Sequence, residues 1–498
     1  MALIPYIIKT FRGGVSDEND KGIAGSFKYG HNLDIHKRND SLSCGQRMLR
    51  ALDSTRGMDI GNNTAGGTTM TGLINVFVNG SDGSTYAFGA TGSIFARNSA
   101  NEWTFVYDIE TGQSIKGAAE YADTNGNNYL FWATDTCISR KPFPGSNSVP
   151  DTGTMRWSDV TQEWKTENIF ATDWHFMKNI GGDLNIGNRY SLAQFDYDAN
   201  FDPVTVNIRP GNRVTGIDEA KDYMAVFGST RDGQDDVGDL WTWISGMTQY
   251  QQRKQLPAKG VNNILFSSEI PLCQAGINGE LFYTDFTTVV PLGAIPGDGF
   301  VLPHASCIYD GIAMFGFSGA TYPGIWSYGR KSKNRPQALN YEYRLMNETG
   351  ATGSTSTIGA IIVTNGVLLA SWQNGTTYGV DMVSSTTKAD AIYEGLEFDG
   401  GRPYWKKMIN TIKITMSLMP ASTGVAMRFK GNKEVDWRYA VLSDGGTTFS
   451  VTDATEAIFN IQKPMEIYEL GIDLFPSVNN SPEVLSIISY LDGSGYEF

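Results

Sequence analysis

The sequence predicts an all-β protein, a β-propeller of about seven blades (six is the other count it allows) followed by a C-terminal β-sandwich. Composition is the first ground. The 498 residues include 56 glycines and are rich in Tyr, Phe, Trp, Thr and Val. No long stretch has the 3.6-residue apolar period or the Ala/Leu/Glu/Lys content of helices. The second ground is an internal repeat. Tyr86-Ala-Phe-Gly-Ala-Thr-Gly-Ser-Ile-Phe-Ala-Arg97 and Tyr129-Leu-Phe-Trp-Ala-Thr-Asp-Thr-Cys-Ile-Ser-Arg140 keep Tyr, Phe, Ala, Thr and a closing Arg in register, 43 residues apart. Each is an apolar run, a polar tight turn and a second run with alternating apolar positions, which is how a hairpin reads. The third is what flanks them. A strand and turn precede each copy, Gly72 to Val78 before Asn79-Gly-Ser-Asp-Gly83 and Gly117 to Ala122 before Asp123-Thr-Asn-Gly-Asn-Asn128, and Trp103 to Tyr107 offers a fourth strand after the first. Strand, turn and hairpin at this spacing make a propeller blade, whose repeat runs to roughly 40–50 residues.

The chain divides into residues 1–68, an N-terminal arm and strand pair; 69–400, the propeller; and 401–498, the sandwich. In the first part Asp17-Glu-Asn-Asp-Lys-Gly22 reads as an exposed loop or arm. Phe27, Tyr29, His31, Leu33 and Ile35 then alternate, and the chain turns at His36 to Asp40 toward Leu42 and Cys44. An early strand of this kind either closes a propeller ring on its last blade or reaches a neighbouring subunit. Thr55 to Thr69 is a Gly-, Asn- and Thr-rich linker.

Further hairpins fall at Leu184 to Phe195, at Tyr223 to Ser229 with Leu240 to Ile244, at Gly279 to Tyr283 with Val289 to Leu292, at Ile312 to Phe317 with Gly324 to Tyr328, and at Gly366 to Trp372 with Tyr378 to Met382. Lys141 to Gly153, Asp232 to Asp236 and Asn347 to Thr357 are the loops. Gly400-Gly-Arg-Pro403 marks the boundary with the sandwich. There Ile412 to Leu418, Val425 to Phe429 and Val435 to Val441 alternate, and further strands centre on Phe449 to Val451, Met465 to Leu474 and Val484 to Ile488. Short half-apolar strands in such number describe a jelly-roll or immunoglobulin-like sandwich.

A net charge of −14 and a pI near 4.8 argue against coating nucleic acid, which needs Lys and Arg to replace the phosphates' counterions. The densest basic runs, Arg330-Lys-Ser-Lys-Asn-Arg335 and His36-Lys-Arg38, read as solvated loops. Cys44, Cys137, Cys273 and Cys307 are far apart, form no CxxC pair and read as reduced, buried thiols. The N-terminus has neither the apolar run nor the cleavage site of a secretory signal, no stretch is long and apolar enough to span a bilayer, and synthesis in a cytoplasm is expected.

The spacings that chemistry needs are missing. There is no GxxxxGK[ST] phosphate cradle, no GxSxG elbow and no HExxH. His31, His36, His175 and His304 do not cluster and read as surface or interface residues. Asp123-x-Asn125-x-Asn127 alternates oxygen ligands as a calcium loop does, but its Gly126 is displaced and the closing Glu is absent, which leaves a hairpin turn. Asp444-x-Gly446-x-Thr448-Phe449 resembles the Asp-box turn of sialidase-type propellers, with Leu442 in place of Ser; that box is structural, and it occurs once. The expectation is therefore a protein with no catalytic, cofactor-binding or metal-binding residues.

Phe11-Arg-Gly-Gly-Val-Ser-Asp17, Gly25-Ser-Phe-Lys-Tyr-Gly-His-Asn-Leu-Asp-Ile35 and Asp40-Ser-Leu-Ser-Cys-Gly-Gln46 resemble the opening hairpin of tailed-bacteriophage virion proteins that lead into a propeller. Ile467-Tyr-Glu-Leu-Gly-Ile-Asp-Leu-Phe-Pro476 is similar to the closing sandwich of such tail proteins. Cys44-Gly-Gln46 stands where nozzle-type tail proteins often carry R-P-G. The resemblance implies a structural subunit of the virion tail, nozzle-like or adaptor-like, assembled in the host cytoplasm. Its partners would be copies of itself in a ring and other tail proteins, with DNA passing without specific binding. The alternatives are a receptor- or glycan-binding protein of the tail tip or fibre and, behind it, a polysaccharide-degrading tail enzyme.

Overall fold

The computed structural model describes residues 4–18, 20, 22–36, 40–53, 70, 72–99, 101, 103–109, 113–122, 126, 128–135, 137–142, 163–165, 168–196, 201–220, 224–231, 238–267, 270–345, 355–401, 404–432 and 434–492. The linker at 55–69 and most of the loops at 141–153, 232–236 and 347–357 lie outside them. Every regular element among the described residues is a strand. The chain forms two compact units, one of Leu49–Gly324 with Leu345–Met382, the other of Met1–Met48, Ile325–Arg344 and Val383–Phe498.

The first unit is the propeller. Blade one is Ile74–Asn79, Thr85–Gly89, Ser93–Arg97 and Trp103–Asp108; blade two is Gly117–Ala122, Asn128–Ala133, Ile138–Pro142 and Glu163–Lys165. Blade three is Met177–Ile180, Asp183–Asn188, Ser191–Phe195 and Phe201–Asn207, and blade four is Asn212–Glu219, Met224–Arg231, Gly238–Ile244 and Gln252–Leu256. Blade five is Val261–Ser267, Ile270–Ala275, Glu280–Thr284 and Val289–Ala294. Blade six contributes Gly299–Tyr309 and Ile312–Gly319, and blade seven Ser356–Thr364, Val367–Asn374 and the first part of Thr377–Lys388. Gln46–Asp53 is the outer strand of blade seven, so a strand that precedes blade one in sequence closes the ring. Each blade's first strand adjoins that of the next, and Ser356–Thr364 adjoins Ile74–Asn79. Among the described residues the blades number seven.

The repeated hairpins form as the alternation requires, with Tyr86 opposite Ala96 and Phe131 opposite Arg140. Both faces of a blade are covered by its neighbours, which is why these strands read as nearly continuous apolar runs. Phe77, Ala87 and Phe95 pack with Ala360, Leu369 and Val380 of blade seven, while Val76, Tyr86, Phe88 and Ile94 pack with Ala118, Leu130 and Trp132 of blade two. Glycine permits the closest approaches between inner strands. A Cβ on Gly117 would lie 1.6 Å from the carbonyl oxygen of His175, and one on Gly359 would lie 2.1 Å from that of Ile74.

The second unit is a two-sheet sandwich. One sheet runs Ile4–Ile8, Glu483–Asp492, Lys407–Met416, Glu456–Met465, with Leu42–Ser43 paired to Glu483–Asp492. The other runs Arg438–Tyr439, Gly424–Gly431, Tyr468–Phe475, Ala391–Glu394, Tyr29–His31, Ala338–Tyr343, Gly324–Gly329. Tyr6 stacks on Phe398 at 3.8 Å between ring centres, and Phe398 on Tyr468 at 5.7 Å. Tyr393, 1% exposed, is met edge-on by Phe11. Arg428 lies between Glu394 (3.2 Å) and Asp473 (2.7 Å), and burial raises both carboxyls' pKa against the opposing pull of that guanidinium.

Two boundaries differ from those drawn on the sequence. The sandwich is assembled from three segments rather than 401–498 alone, because strands such as Ile4–Ile8 pair with Glu483–Asp492 (Ile4 opposite Leu491) and no local pattern carries such a pairing. The N-terminal segment is likewise no free arm: Phe11 and Phe27 are core, although Asp17, Glu18, Asp20 and Gly22 are exposed as expected.

Candidate functional site on the propeller axis

The first strands of the seven blades line the axis, and their inward residues are mainly apolar. Val76, Phe77, Ala118, Met177, Ile217, Ile264, Ile361 and their neighbours bound a space of about 240 Å³. That is far too little to hold a nucleic-acid strand. Of its polar groups His304 Nε2 is buried without a hydrogen-bond partner, while the charged pair is satisfied locally. Lys178 pairs with Asp218 at 3.0 Å, whose other oxygen accepts from the Phe266 N–H at 2.7 Å.

At one end of the first strands a cleft of about 260 Å³ opens where the chain enters blades three to six. Thr172, Asp173 and Trp174 lead into blade three, Arg213 to Thr215 begin blade four, Asn262 begins blade five, and Phe300 to Pro303 begin blade six. Asp173 and Arg213 form an ion pair. The Thr215 and Thr230 hydroxyls both donate to the Val261 carbonyl, and the Asn262 amide donates to Gln274 Oε1 (2.9 Å) and the Gly276 carbonyl (2.6 Å). Trp174 stands edge-on to His304, which stacks on Phe176 with ring centres 4.3 Å apart. Thr172 Oγ1 is buried in the wall without a hydrogen-bond partner.

The histidines are not the surface or interface residues the sequence suggested. Burial lowers the pKa of His304 to about 3 and that of His175 to about 4; His175 donates from Nδ1 to the Gly187 carbonyl (2.8 Å). His31 is lowered to about 3, first by burial and then by Arg344 and Arg428. All three are neutral: His31 and His175 are buried, and His304 is half-buried on the axial space. His36 Nε2 lies 2.9 Å from Ser327 Oγ, and that hydroxyl lies 3.0 Å from Glu342 Oε2, a Ser–His–carboxylate grouping with residues 291 and 15 positions apart that no sequence spacing reveals. It is not hydrolytic machinery. The serine sits between the other two instead of the histidine, and all three are buried.

The four cysteines are free thiols, and burial pushes Cys44, Cys273 and Cys307 up to about 12, far from the thiolate a nucleophile requires. Asp444 accepts from the Gly446 N–H at 2.9 Å, an Asx turn on the surface. Of the Asp123-x-Asn125-x-Asn127 loop only Gly126 and Asn128 are described. Arg330 to Asn334 are exposed, as read from the sequence, whereas Arg335 is half-buried and donates to the His36 carbonyl at 2.9 Å. Among the described residues no three His, Cys, Asp or Glu side chains could share a metal ion.

Fold and axis together define an all-β propeller protein with a sandwich unit. No protein-family model and no curated protein sequence matches the chain. Among solved structures, a chain titled "Crystal Structure of Mitotic Checkpoint Complex" is similar, with a TM-score of 0.42 and 11% identity over 68% of this chain and 95% of that one. Similarity at this level assigns no activity. Among the described residues no helix is long and apolar enough to cross a membrane.

Proposed function

We propose that this chain is a non-catalytic structural subunit of a tailed-bacteriophage virion, a nozzle-like or adaptor protein that assembles into a ring with copies of itself. The observation that carries this reading is a row of isoleucines, interrupted by Lys413 with its Glu456 partner, on the outer face of the sandwich sheet that begins with Ile4–Ile8. The strand register sets Ile7 opposite Ile488, Ile488 opposite Lys413 and Lys413 opposite Ile458, with Val441 bridged to Asn460 one step along. Ile458 is 53% exposed, and Ile7 and Val441 are exposed as well. Apolar side chains aligned across a solvent-facing sheet favour burial against a partner. Each of the two axial spaces is lined by one carboxylate, Asp173 or Asp218, and each of these is ion-paired, so neither space offers the two carboxyl groups that glycoside hydrolysis uses.

The test is mass photometry of the purified chain, alone and as Ile458→Lys. A discrete oligomer that the substitution dissolves supports the reading. A monomer at every concentration, with or without salt, sinks it. The receptor- or glycan-binding alternative draws on the axial cleft.

A further inference from the structure

We infer that the cleft at the blade three to six end of the propeller axis binds a neutral saccharide ring. One wall is apolar: Trp174, Ile277, Phe300, Leu302 and Pro303, with Phe300 38% exposed and Ile277 52% exposed, so that an aromatic surface waits uncovered inside a concavity. The other wall is polar. It presents the Asp173 carboxylate with its Arg213 partner and the Asn262 side chain, with the Thr172 hydroxyl buried behind them. The fitting ligand is therefore compact, apolar on one face and hydroxylated at its edge. A pyranose has this form, since its C–H face packs on aromatic rings while its hydroxyls both donate and accept.

Charge narrows the class. Arg213 is already neutralised by Asp173, so the cleft has no cation left over for a phosphate or a sugar acid, and the net charge of −14 repels anions in general. The space of about 260 Å³ is at the small end for ligand sites, which suits a single ring rather than an extended peptide. Binding of this kind is weak for one ring and gains from repetition when several copies sit in one particle. The inference does not depend on ring assembly: a monomeric chain that binds sugar would refute the proposal above and leave this one standing.

The experiment is saturation-transfer NMR on the full chain with glucose, galactose, mannose, N-acetylglucosamine and glucuronate, repeated on Trp174→Ala, Phe300→Ala and Asp173→Asn. At least one neutral sugar is expected to bind, with transfer strongest at protons of one ring face. Removing either aromatic ring is expected to weaken binding about tenfold, the size of a contact that dominates a small site. Asp173 and Phe300 are exposed, so at least those two variants keep the fold, to be checked by circular dichroism. No binding by any neutral sugar, unchanged binding in all three variants, or tighter binding of glucuronate than of every neutral sugar would each overturn the inference.

Discussion

Arg50→Met tests how the propeller ring is held shut. Arg50 lies on Gln46–Asp53, the strand that completes blade seven, and its Nε is 3.0 Å from Asp381 Oδ1. Asp381 is fully buried and also accepts from the Trp372 indole N–H at 2.9 Å, while the guanidinium lies 4.4 Å above that indole. Stripping one partner from a buried ion pair costs about 3–5 kcal/mol, and the lost cation–π contact adds about 0.5–2 kcal/mol. Because Asp381 retains the indole donor, the lower end applies, about 3 kcal/mol. For a large unit whose urea dependence is about 3 kcal/mol per M, the midpoint falls by about 1 M.

Blade four supplies the control. Arg253 grips buried Asp239 through two bonds of 2.9 Å and lies 5.3 Å from the Trp241 ring centre, but its strand follows its blade directly in sequence. Arg253→Met should lower the midpoint comparably, yet only Arg50→Met should strip hydrogen-exchange protection from Gln46–Asp53. The double variant Arg50→Met/Asp381→Asn should recover most of the loss, since a neutral amide still accepts from Trp372. Urea titration followed by tryptophan fluorescence, with exchange mass spectrometry, measures all of this. A midpoint shift under about 0.2 M for Arg50→Met, or a double variant less stable than the single, would refute the reasoning.

Further outcomes follow from the same structure. His304 and His175 bind protons more readily unfolded (near 6.5) than folded (about 3 and about 4), so their contribution is fully present above pH 6.5 and is lost as pH falls toward those values. The slope is up to about 1.4 kcal/mol per pH unit for each histidine, and His304→Phe should flatten the urea midpoint's dependence between pH 6.5 and 4. Gly117→Ala forces a methyl group into the His175 carbonyl and should lower the unfolding midpoint by at least as much as Arg50→Met; a shift within error would contradict the close approach of blades two and three. Because the chain carries a net charge of −14, its self-association should strengthen between about 0.05 and 0.5 M salt, as screening weakens repulsion around an apolar contact. Sedimentation showing the reverse would mean that ion pairs, not Ile7 and Ile458, make the contact. Removing residues 1–24 deletes strand Ile4–Ile8 and the core ring of Phe11, and should destabilise the sandwich unit itself, as its own unfolding transition would report.

What the sequence made legible was whatever is local. The hairpins at Tyr86 to Arg97 and Tyr129 to Arg140, and those of the later blades, fall on observed strands because a strand's alternation and its turn residues lie within a dozen positions. Long-range pairing left no such trace, so the sandwich's use of Ile4–Ile8 and Ala338–Tyr343 could not be read. Local pattern also misled where a turn interrupts it. Met465 to Leu474 is two strands, because Asn432 Oδ1 accepts from the N–H groups of Glu466 (2.8 Å) and Ile467 (3.2 Å) and fixes a corner there. Val435 alternates with Trp437 and Tyr439 yet is 87% exposed, since only Arg438–Tyr439 pairs in that stretch. The axial cleft was equally hidden. Thr172 to Trp174, Arg213 and Phe300 share no spacing, and only the circular order of blades three to six brings them together.

A structural ring subunit can be seen in an electron-microscopy reconstruction of virions that carry this chain, with the seven-bladed unit located in the density. Copies should be arranged as a closed ring on the tail axis, neighbours touching through the sheet that bears Ile7 and Ile458. Density at a peripheral fibre or distal tip, or a ring whose contacts leave that sheet facing solvent, would contradict it.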